Sequence, residues 1–268
     1  MSQQLSECLL TGKPLSFPAI DMHAHLGRYS HAMSSYDPGD FVAQIDRLGV
    51  QQAVCSHMQC MSHDVSWGNN EVWQAMKNYP GRIAGYISLF PSSKEAVAEE
   101  MKICLDRGFT GIKFHSANGF HYDDPAYEPA WKLASEHQMP MLFHGHGSKP
   151  NSTDIMFLAD RYPDAPILLA HSGGSGDLTA VVRLANSYPN IFLELCASRS
   201  PLGVIKLLVN QAGLNKIIWG SDCHFLSMSQ QLGRLLGSDL DDKEKEAILY
   251  KNAKNILDKV KTDKKSVT

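Results

Sequence analysis

The amino-acid sequence predicts a (β/α)8 (TIM) barrel. Eight short apolar runs, rich in β-branched or aromatic residues, recur along the chain, about 25 to 35 residues apart, which is the length of one βαβ repeat. Each run is continuous rather than alternating, as expected for strands buried on both faces of a parallel sheet. Segments with helical periodicity lie between the runs. No G-x-G-x-x-G motif follows the first run, which argues against the main alternative, a doubly wound nucleotide-binding sheet.

The predicted strands are short and end close to polar or glycine residues. In chain order they are Phe17–Met22, Gln52–Ser56, Ile83–Leu89, Thr110–Phe114, Pro140–Phe143, Ile167–Ala170, Ile191–Leu195 and Lys216–Trp219. A closed barrel would place the first of these strands beside the last.

Capping and helix-breaking residues mark the helices between the strands. Ser92–Glu95 resembles a capping box that opens one helix, and Asp241–Glu244 opens the last helix in the same way. Pro201 suits the first turn of the helix that continues through Leu208. Proline disfavours helical geometry in the residue before it, so three Tyr-Pro pairs are expected to end helices: Tyr79-Pro80, Tyr162-Pro163 and Tyr188-Pro189.

Length and composition favour one globular domain. The chain has 268 residues, of which 43% are hydrophobic and 20% charged, values typical of a globular protein. No linker-like stretch divides it. We therefore interpret residues 1–268 as a single barrel domain with a short N-terminal extension and a polar C-terminal tail from Lys259 to Thr268.

Charge and hydropathy exclude several partners. The formal net charge of −3 offers no basic field for a nucleic-acid backbone. No signal peptide and no apolar run of the roughly 20 residues needed to span a bilayer is apparent. The six cysteines form no C-x-x-C pair and are expected to be reduced and mostly packed in the core. These features predict a cytoplasmic protein with no nucleic-acid or membrane partner.

Histidines and an aspartate recur at the ends of the predicted strands. His23 and His25 follow the first strand, and two residues apart on an extended chain they point to the same side. His144 ends the fifth, His171 the sixth, and Asp222 follows the eighth. The carboxyl ends of barrel strands form the face where active sites lie, so these side chains are expected to meet.

Imidazoles and a carboxylate are the ligand set of a divalent metal. The set suits one zinc ion, with manganese, iron or cobalt as alternatives. Such an ion activates a bound water or polarises a substrate oxygen. We interpret His23, His25, His144 and Asp222 as candidate metal ligands, and His146 is the alternative to His144. His171 is expected to act as a general acid or base, or to stabilise an oxyanion.

The remaining polar residues are candidates for substrate binding: Arg28, His57, Lys113, His115, His146 and Arg199. An arginine would suit a substrate carboxylate. Three roles are open for Lys113. A carboxylated Lys113 would bridge two metals, a protonated Lys113 would pair with a substrate carboxylate, and otherwise the residue would only support the site. No G-x-S-x-G motif is present, which makes serine-nucleophile hydrolysis an unfavoured reaction.

The motifs together resemble the amidohydrolase superfamily, most closely its amidohydrolase-related (amidohydrolase 2) branch. The matching pieces are Asp21-Met22-His23-Ala24-His25, Gly108-Phe109-Thr110-Gly111-Ile112-Lys113, Pro140-Met141-Leu142-Phe143-His144, Leu169-Ala170-His171-Ser172-Gly173-Gly174, Gly220-Ser221-Asp222 and Asn252-Ala253-Lys254-Asn255-Ile256-Leu257. The resemblance implies a metal held by His23, His25, His144 and Asp222, and a catalytic role for His171. Asp222 would also handle the proton of the attacking water.

The branch contains lactone hydrolases and nonoxidative decarboxylases. The leading hypothesis is a metal-dependent hydrolase of a small cyclic ester, amide or related carbonyl substrate. The alternative is nonoxidative decarboxylation of a small aromatic or unsaturated carboxylic acid. A deoxyribonuclease and a non-enzymatic barrel are weaker alternatives. Either leading reaction implies a small-molecule substrate, and because barrels of this type often dimerise, a homodimer is also considered.

Overall fold

The computed structural model describes residues 8, 10–30, 35–145, 152–172, 174 and 176–261. Within these residues, eight parallel strands follow one another in sequence order around a nearly closed barrel, and helices surround it. The predicted fold class is confirmed.

The strands carry the labels β1 to β8. They are β1 Ile20–Leu26, β2 Gln52–His57, β3 Ile83–Ser88, β4 Gly111–Phe114, β5 Met141–Phe143, β6 Ile167–Leu169, β7 Ile191–Glu194 and β8 Ile217–Ile218. The helices are α1 Pro38–Leu48, α2 Val65–Asn78, α3 Lys94–Asp106, α4 Glu128–His137, α5 Ser152–Arg161, α6 Leu178–Ser187, α7 Val204–Ala212, α8 Met228–Leu236, α9 Asp242–Glu246 and α10 Asn252–Leu257. A π-helical turn, Ala247–Lys251, joins the last two helices.

The first strand lies further along the chain than predicted. The sequence predicts Phe17–Met22, whereas β1 runs from Ile20 to Leu26 and is buried throughout. His23 and His25 therefore lie within the strand and do not follow it. The apolar run in the sequence ends before the strand does, because His23 and His25 are polar. The strand stays buried because the ring nitrogens of both histidines are hydrogen-bonded inside the barrel.

Backbone hydrogen bonds connect β1 to the segment that follows β8. Met22 N donates to Trp219 O over 3.1 Å, and His25 N donates to Cys223 O over 2.5 Å. Ala24 also forms a parallel bridge with Cys223. Barrel closure thus brings the two histidines beside Asp222, as the sequence predicts.

The helix signals are largely confirmed. The Ser93 side chain accepts a hydrogen bond from Ala96 N at the start of α3, and Asp241 and Glu244 form a full capping box at α9. Pro201 is an exception, because α7 begins only at Val204. Gly203 precedes it with a φ of +76°, a left-handed conformation that separates the proline from the helix.

Apolar side chains fill the barrel interior below the polar layer. Met22, Tyr86, Leu142 and Leu168 are almost fully buried there, and the Tyr86 hydroxyl donates to Met22 O over 2.9 Å. A packed interior leaves the carboxyl face of the strands as the open end for chemistry. Among the described helices, none is both long and apolar enough to cross a bilayer.

Candidate active site

Three side-chain donor atoms converge where β1 meets the segment after β8. Asp222 Oδ1 lies 3.2 Å from His25 Nε2 and 3.5 Å from His23 Nε2. The two Nε2 atoms are 3.3 Å apart, and all three residues are buried. Two imidazoles and one carboxylate at these separations are donors that could hold a divalent cation, and three protein ligands would leave a further coordination position for solvent or substrate.

The other ring nitrogen of each histidine is bound by a neighbour. His23 Nδ1 lies 3.0 Å from Glu194 Oε2, and His25 Nδ1 lies 3.0 Å from Ser56 Oγ. Metal-binding histidines characteristically use their second nitrogen in this way, which fixes the ring orientation and leaves the Nε2 lone pair for the metal. The residues present therefore fit a divalent metal ion.

The protonation of the histidines also suits a cation. Burial lowers the pKa of His23 and, less strongly, that of His25, so both rings are neutral near pH 7. Neutral imidazole is the form that binds metals. Burial acts to raise the pKa of Asp222, but interactions with His23 and His25 outweigh it and hold this pKa below its usual range.

Lys113 lies beneath this group. Its Nζ is 2.8 Å from His23 Nε2, the side chain is 1% exposed, and burial lowers its pKa. Lys113 therefore contacts the candidate metal site and lies outside the lining of the substrate cavity, so pairing with a substrate carboxylate is the interpretation that this placement favours least.

His144, His171 and His115 form a second row of imidazoles. His171 Nε2 lies 3.2 Å from His144 Nδ1, and the His115 ring stacks on His144 with 3.9 Å between centroids. Burial lowers the pKa of His144 to about 3. Among the described residues, the tight donor group of His23, His25 and Asp222 does not include His144, which faces His171 instead.

His171 and Asp222 both adopt left-handed backbone conformations, which residues other than glycine seldom adopt. Their φ angles are +61° and +55°, and such conformations cost about 1–3 kcal/mol each. Hydrogen bonds fix them: His171 N donates to Glu194 Oε2 over 3.2 Å, and Asp222 N donates to His23 O over 2.6 Å. Backbone strain of this kind concentrates at functional sites.

A cavity of about 490 Å³ opens over the imidazoles. Six of the predicted site residues line it: His25, His115, His144, His171, Arg199 and Asp222. Met61, Phe225 and Leu226 add apolar walls. A cavity of this size accommodates a small organic molecule.

Two other predicted substrate-binding residues, His57 and Arg28, are placed differently. His57 is buried, and its Nδ1 accepts a hydrogen bond from Gln59 N over 3.2 Å at the start of a 3-10 turn. The Arg28 guanidinium lies over the Tyr36 ring. Neither residue lines the cavity, so both predictions of substrate contact are unsupported by the geometry. His146 lies outside the described residues.

Two contributors were missed by sequence reasoning. Glu194 and Ser56 contact the histidines from strands β7 and β2. The one available signal for Glu194 is a lone carboxylate inside the apolar run Ile191–Leu195. Cys196 is buried, as expected, and because it lies near a strand end it also approaches the site, with its Sγ 3.1 Å from His171 Nδ1.

The fold agrees with a comparison against protein families. The amidohydrolase family model matches residues 20–259. This chain belongs to the amidohydrolase family. The resemblance carried by the five strand-end motifs and the last helix is thereby confirmed.

Solved structures of similar fold include several enzymes. A 2,6-dihydroxybenzoate decarboxylase from Rhizobium shares 14% identity, with a TM-score of 0.72 over 90% of this chain and 98% of that one. A 5-carboxyvanillate decarboxylase from Sphingomonas paucimobilis shares 15% identity, with a TM-score of 0.73 over 92% and 100% of the chains. A dihydroxybenzoic acid decarboxylase from Polaromonas, with bound manganese and 2-nitroresorcinol, shares 15% identity, with a TM-score of 0.70 over 90% and 97%.

Proposed function

We propose that this amidohydrolase-family enzyme catalyses the nonoxidative, metal-dependent decarboxylation of a small aromatic or unsaturated carboxylic acid. The observation that carries the proposal is the donor group of His23, His25 and Asp222, which meets a cavity also lined by His171. The choice of reaction is supported by the three similar structures, each of which is a decarboxylase. They favour this alternative over the hydrolysis that the sequence first suggests.

A divalent ion held by His23, His25 and Asp222 would supply positive charge to bind a substrate carboxylate and a neighbouring oxygen. Zinc was predicted from the ligand types, and the Polaromonas relative contains manganese, so both ions are candidates. Ser56 and Glu194 hold the two ligand rings in place.

The protein side chains manage the proton. His171 donates a proton to the carbon that bears the carboxylate, the bond from that carbon to the carboxylate breaks, and carbon dioxide leaves. His144 contacts His171 and orients it. Arg199 and His115 would contact the part of the substrate that lies away from the ion.

Hydrolysis of a small cyclic ester or amide is the second candidate, favoured by the name of the matched family. In that reaction, the site residues would keep their positions. Asp222 would accept a proton from the attacking water, and His171 would stabilise the oxyanion or protonate the leaving group.

The deciding experiment offers both substrate classes to protein loaded with manganese. One panel contains hydroxybenzoates and their dicarboxylate analogues, with release of carbon dioxide as the readout, and a parallel panel contains lactones. We expect carbon dioxide release that a strong chelator abolishes and added metal restores. Turnover of lactones without carbon dioxide release would replace the proposal with hydrolysis, and turnover indifferent to chelation would contradict both.

A further inference from the structure

A second group of donor atoms lies on the opposite side of the His23 ring from Asp222. Cys196 Sγ is 2.9 Å from Glu194 Oε2, 3.1 Å from His171 Nδ1 and 3.4 Å from His23 Nδ1. His23 Nδ1 is itself 3.0 Å from Glu194 Oε2. The four residues, which we call the Cys196 cluster, each offer one donor atom, and these donor atoms all lie within 4.8 Å of one another.

Hydrogen bonding alone does not account for this arrangement of atoms. A thiol has one proton and is a weak donor, yet Cys196 Sγ has three polar neighbours. Glu194 is already supplied with backbone donors, because Cys196 N donates to Oε1 over 2.6 Å and His171 N donates to Oε2 over 3.2 Å. The sulfur therefore adds little to the hydrogen bonding of the carboxylate.

The same four atoms match the ligands of a thiophilic cation. One sulfur, two imidazole nitrogens and one carboxylate oxygen form a set that zinc accepts in tetrahedral geometry, with bonds of about 2.0–2.3 Å. Such bonds separate neighbouring ligand atoms by about 3.3–3.7 Å. The four separations given above are a few tenths of an ångström shorter, so a small outward movement of these side chains would admit an ion.

We propose that Cys196, Glu194, His171 and the Nδ1 atom of His23 form a second cation site, selective for thiophilic divalent ions such as zinc and cadmium. Binding releases the thiol proton of Cys196 and the ring proton of His23 to solvent. His23 then bridges the two sites, through Nε2 on one side and Nδ1 on the other.

The site discriminates between ions through its sulfur. The Cys196 thiol is buried and lies 2.9 Å from Glu194 Oε2, so a bound ion must displace the thiol proton inside the site. Soft ions form strong bonds with sulfur, whereas manganese and magnesium prefer oxygen ligands. Manganese is therefore expected to remain in the first site.

Occupation of the second site would inhibit the enzyme. The bound ion would coordinate His171 Nδ1, so the imidazole could no longer take up a proton at one nitrogen and release one from the other. This consequence rests on the proposed function, in which His171 manages a proton. The binding of the ion does not rest on that function, and it is tested without turnover.

The test follows cadmium binding by the ultraviolet charge-transfer absorption of the thiolate–cadmium bond. Metal-free protein is first loaded with manganese and then titrated with cadmium. We expect the band to saturate at about one equivalent of cadmium in the wild type and in Cys8→Ser. Cys8→Ser is the control, because it removes a partly exposed thiol outside the cluster. Cys196→Ser should lack the band and weaken cadmium binding by at least about 10-fold.

Manganese binding and the melting curve of Cys196→Ser report whether that variant is folded. If it does not fold, X-ray absorption of cadmium-loaded Cys8→Ser decides, because the proposal requires one sulfur and two imidazoles around the ion. Any of three results would overturn the proposal: a band of equal strength in folded Cys196→Ser, absence of the band in the wild type, or a coordination sphere without sulfur. None of these readouts depends on turnover, so they stand even if decarboxylation is disproved.

Discussion

Glu194 connects the candidate metal site to the candidate catalytic histidine. Its buried carboxylate contacts His23 Nδ1 over 3.0 Å and accepts a hydrogen bond from His171 N over 3.2 Å. One carboxylate thus orients a metal ligand on β1 and holds the strained backbone after β6. We infer that Glu194 is a positioning residue for both.

Glu194→Gln is expected to weaken divalent-metal affinity by about 10–100-fold, because an amide is a poorer acceptor for the His23 ring proton than a carboxylate. Competition between the protein and a chelating indicator measures the affinity. Glu99→Gln, a change at an exposed position on α3, is the matched control. Equal metal affinity in both variants would refute the role of Glu194.

His171→Asn is expected to lower kcat by at least about 100-fold while leaving the manganese content unchanged, because it removes a proton donor and no ligand of the His23, His25 and Asp222 site. Steady-state carbon dioxide release and metal analysis measure the two properties together. A loss of metal in this variant would reassign His171 as a ligand.

Residues at strand ends were predictable because the barrel fold fixes where those ends meet. His23, His25 and Asp222 follow from that rule. Glu194 and Ser56 act through side chains far away in sequence, 171 residues in the case of Glu194 and His23, and nothing local marks such a partner. The prediction of substrate contact for His57 stays a prediction. Its imidazole also caps a local turn, a use that spacing does not reveal.

At the scale of elements, Asp21 links β1 to the segment after β8. Its Oδ1 accepts hydrogen bonds from His23 N over 3.0 Å and from Ser221 N over 2.9 Å, and its Oδ2 accepts one from Ser221 Oγ over 2.5 Å. The carboxylate is fully buried. Asp21 therefore helps to close the barrel and sets the position of Asp222.

Asp21→Ala is expected to reduce the free energy of unfolding by about 1–3 kcal/mol, because it leaves buried backbone donors without an acceptor. Metal affinity should fall as well, since Asp222 loses its support. Denaturant titration and metal competition measure these effects, with Asp106→Ala at an exposed position on α3 as the control. Unchanged stability would contradict the role of Asp21 in closure.

The sequence predicted the order and type of the strands better than their ends. Continuous apolar runs identify β2 to β8 closely, since those strands lie between apolar layers. β1 carries three polar side chains, at Asp21, His23 and His25, which are satisfied by residues from other strands. Periodicity within the strand alone cannot reveal such partners, so its predicted end fell short.

At the scale of the whole molecule, the metal should stabilise the barrel. Its proposed ligands come from β1 and from the segment after β8, so binding tightens the closure. At a free metal concentration 100 times Kd, binding contributes about 2.7 kcal/mol, which raises the Tm of a domain of this size by several degrees. We expect manganese to raise the Tm of the wild type and to leave that of His25→Ala unchanged. An equal increase in both would place the ion elsewhere.

The central claim is that His23, His25 and Asp222 hold the metal of this enzyme. The most direct measurement is the metal content, by mass spectrometry, of metal-loaded and desalted wild type, His25→Ala and Asp222→Ala, with His115→Ala as a cavity control outside the donor group. The account predicts about one equivalent of manganese per chain in the wild type and the control, and its loss in the other two variants. Full metal content in His25→Ala and Asp222→Ala would contradict it.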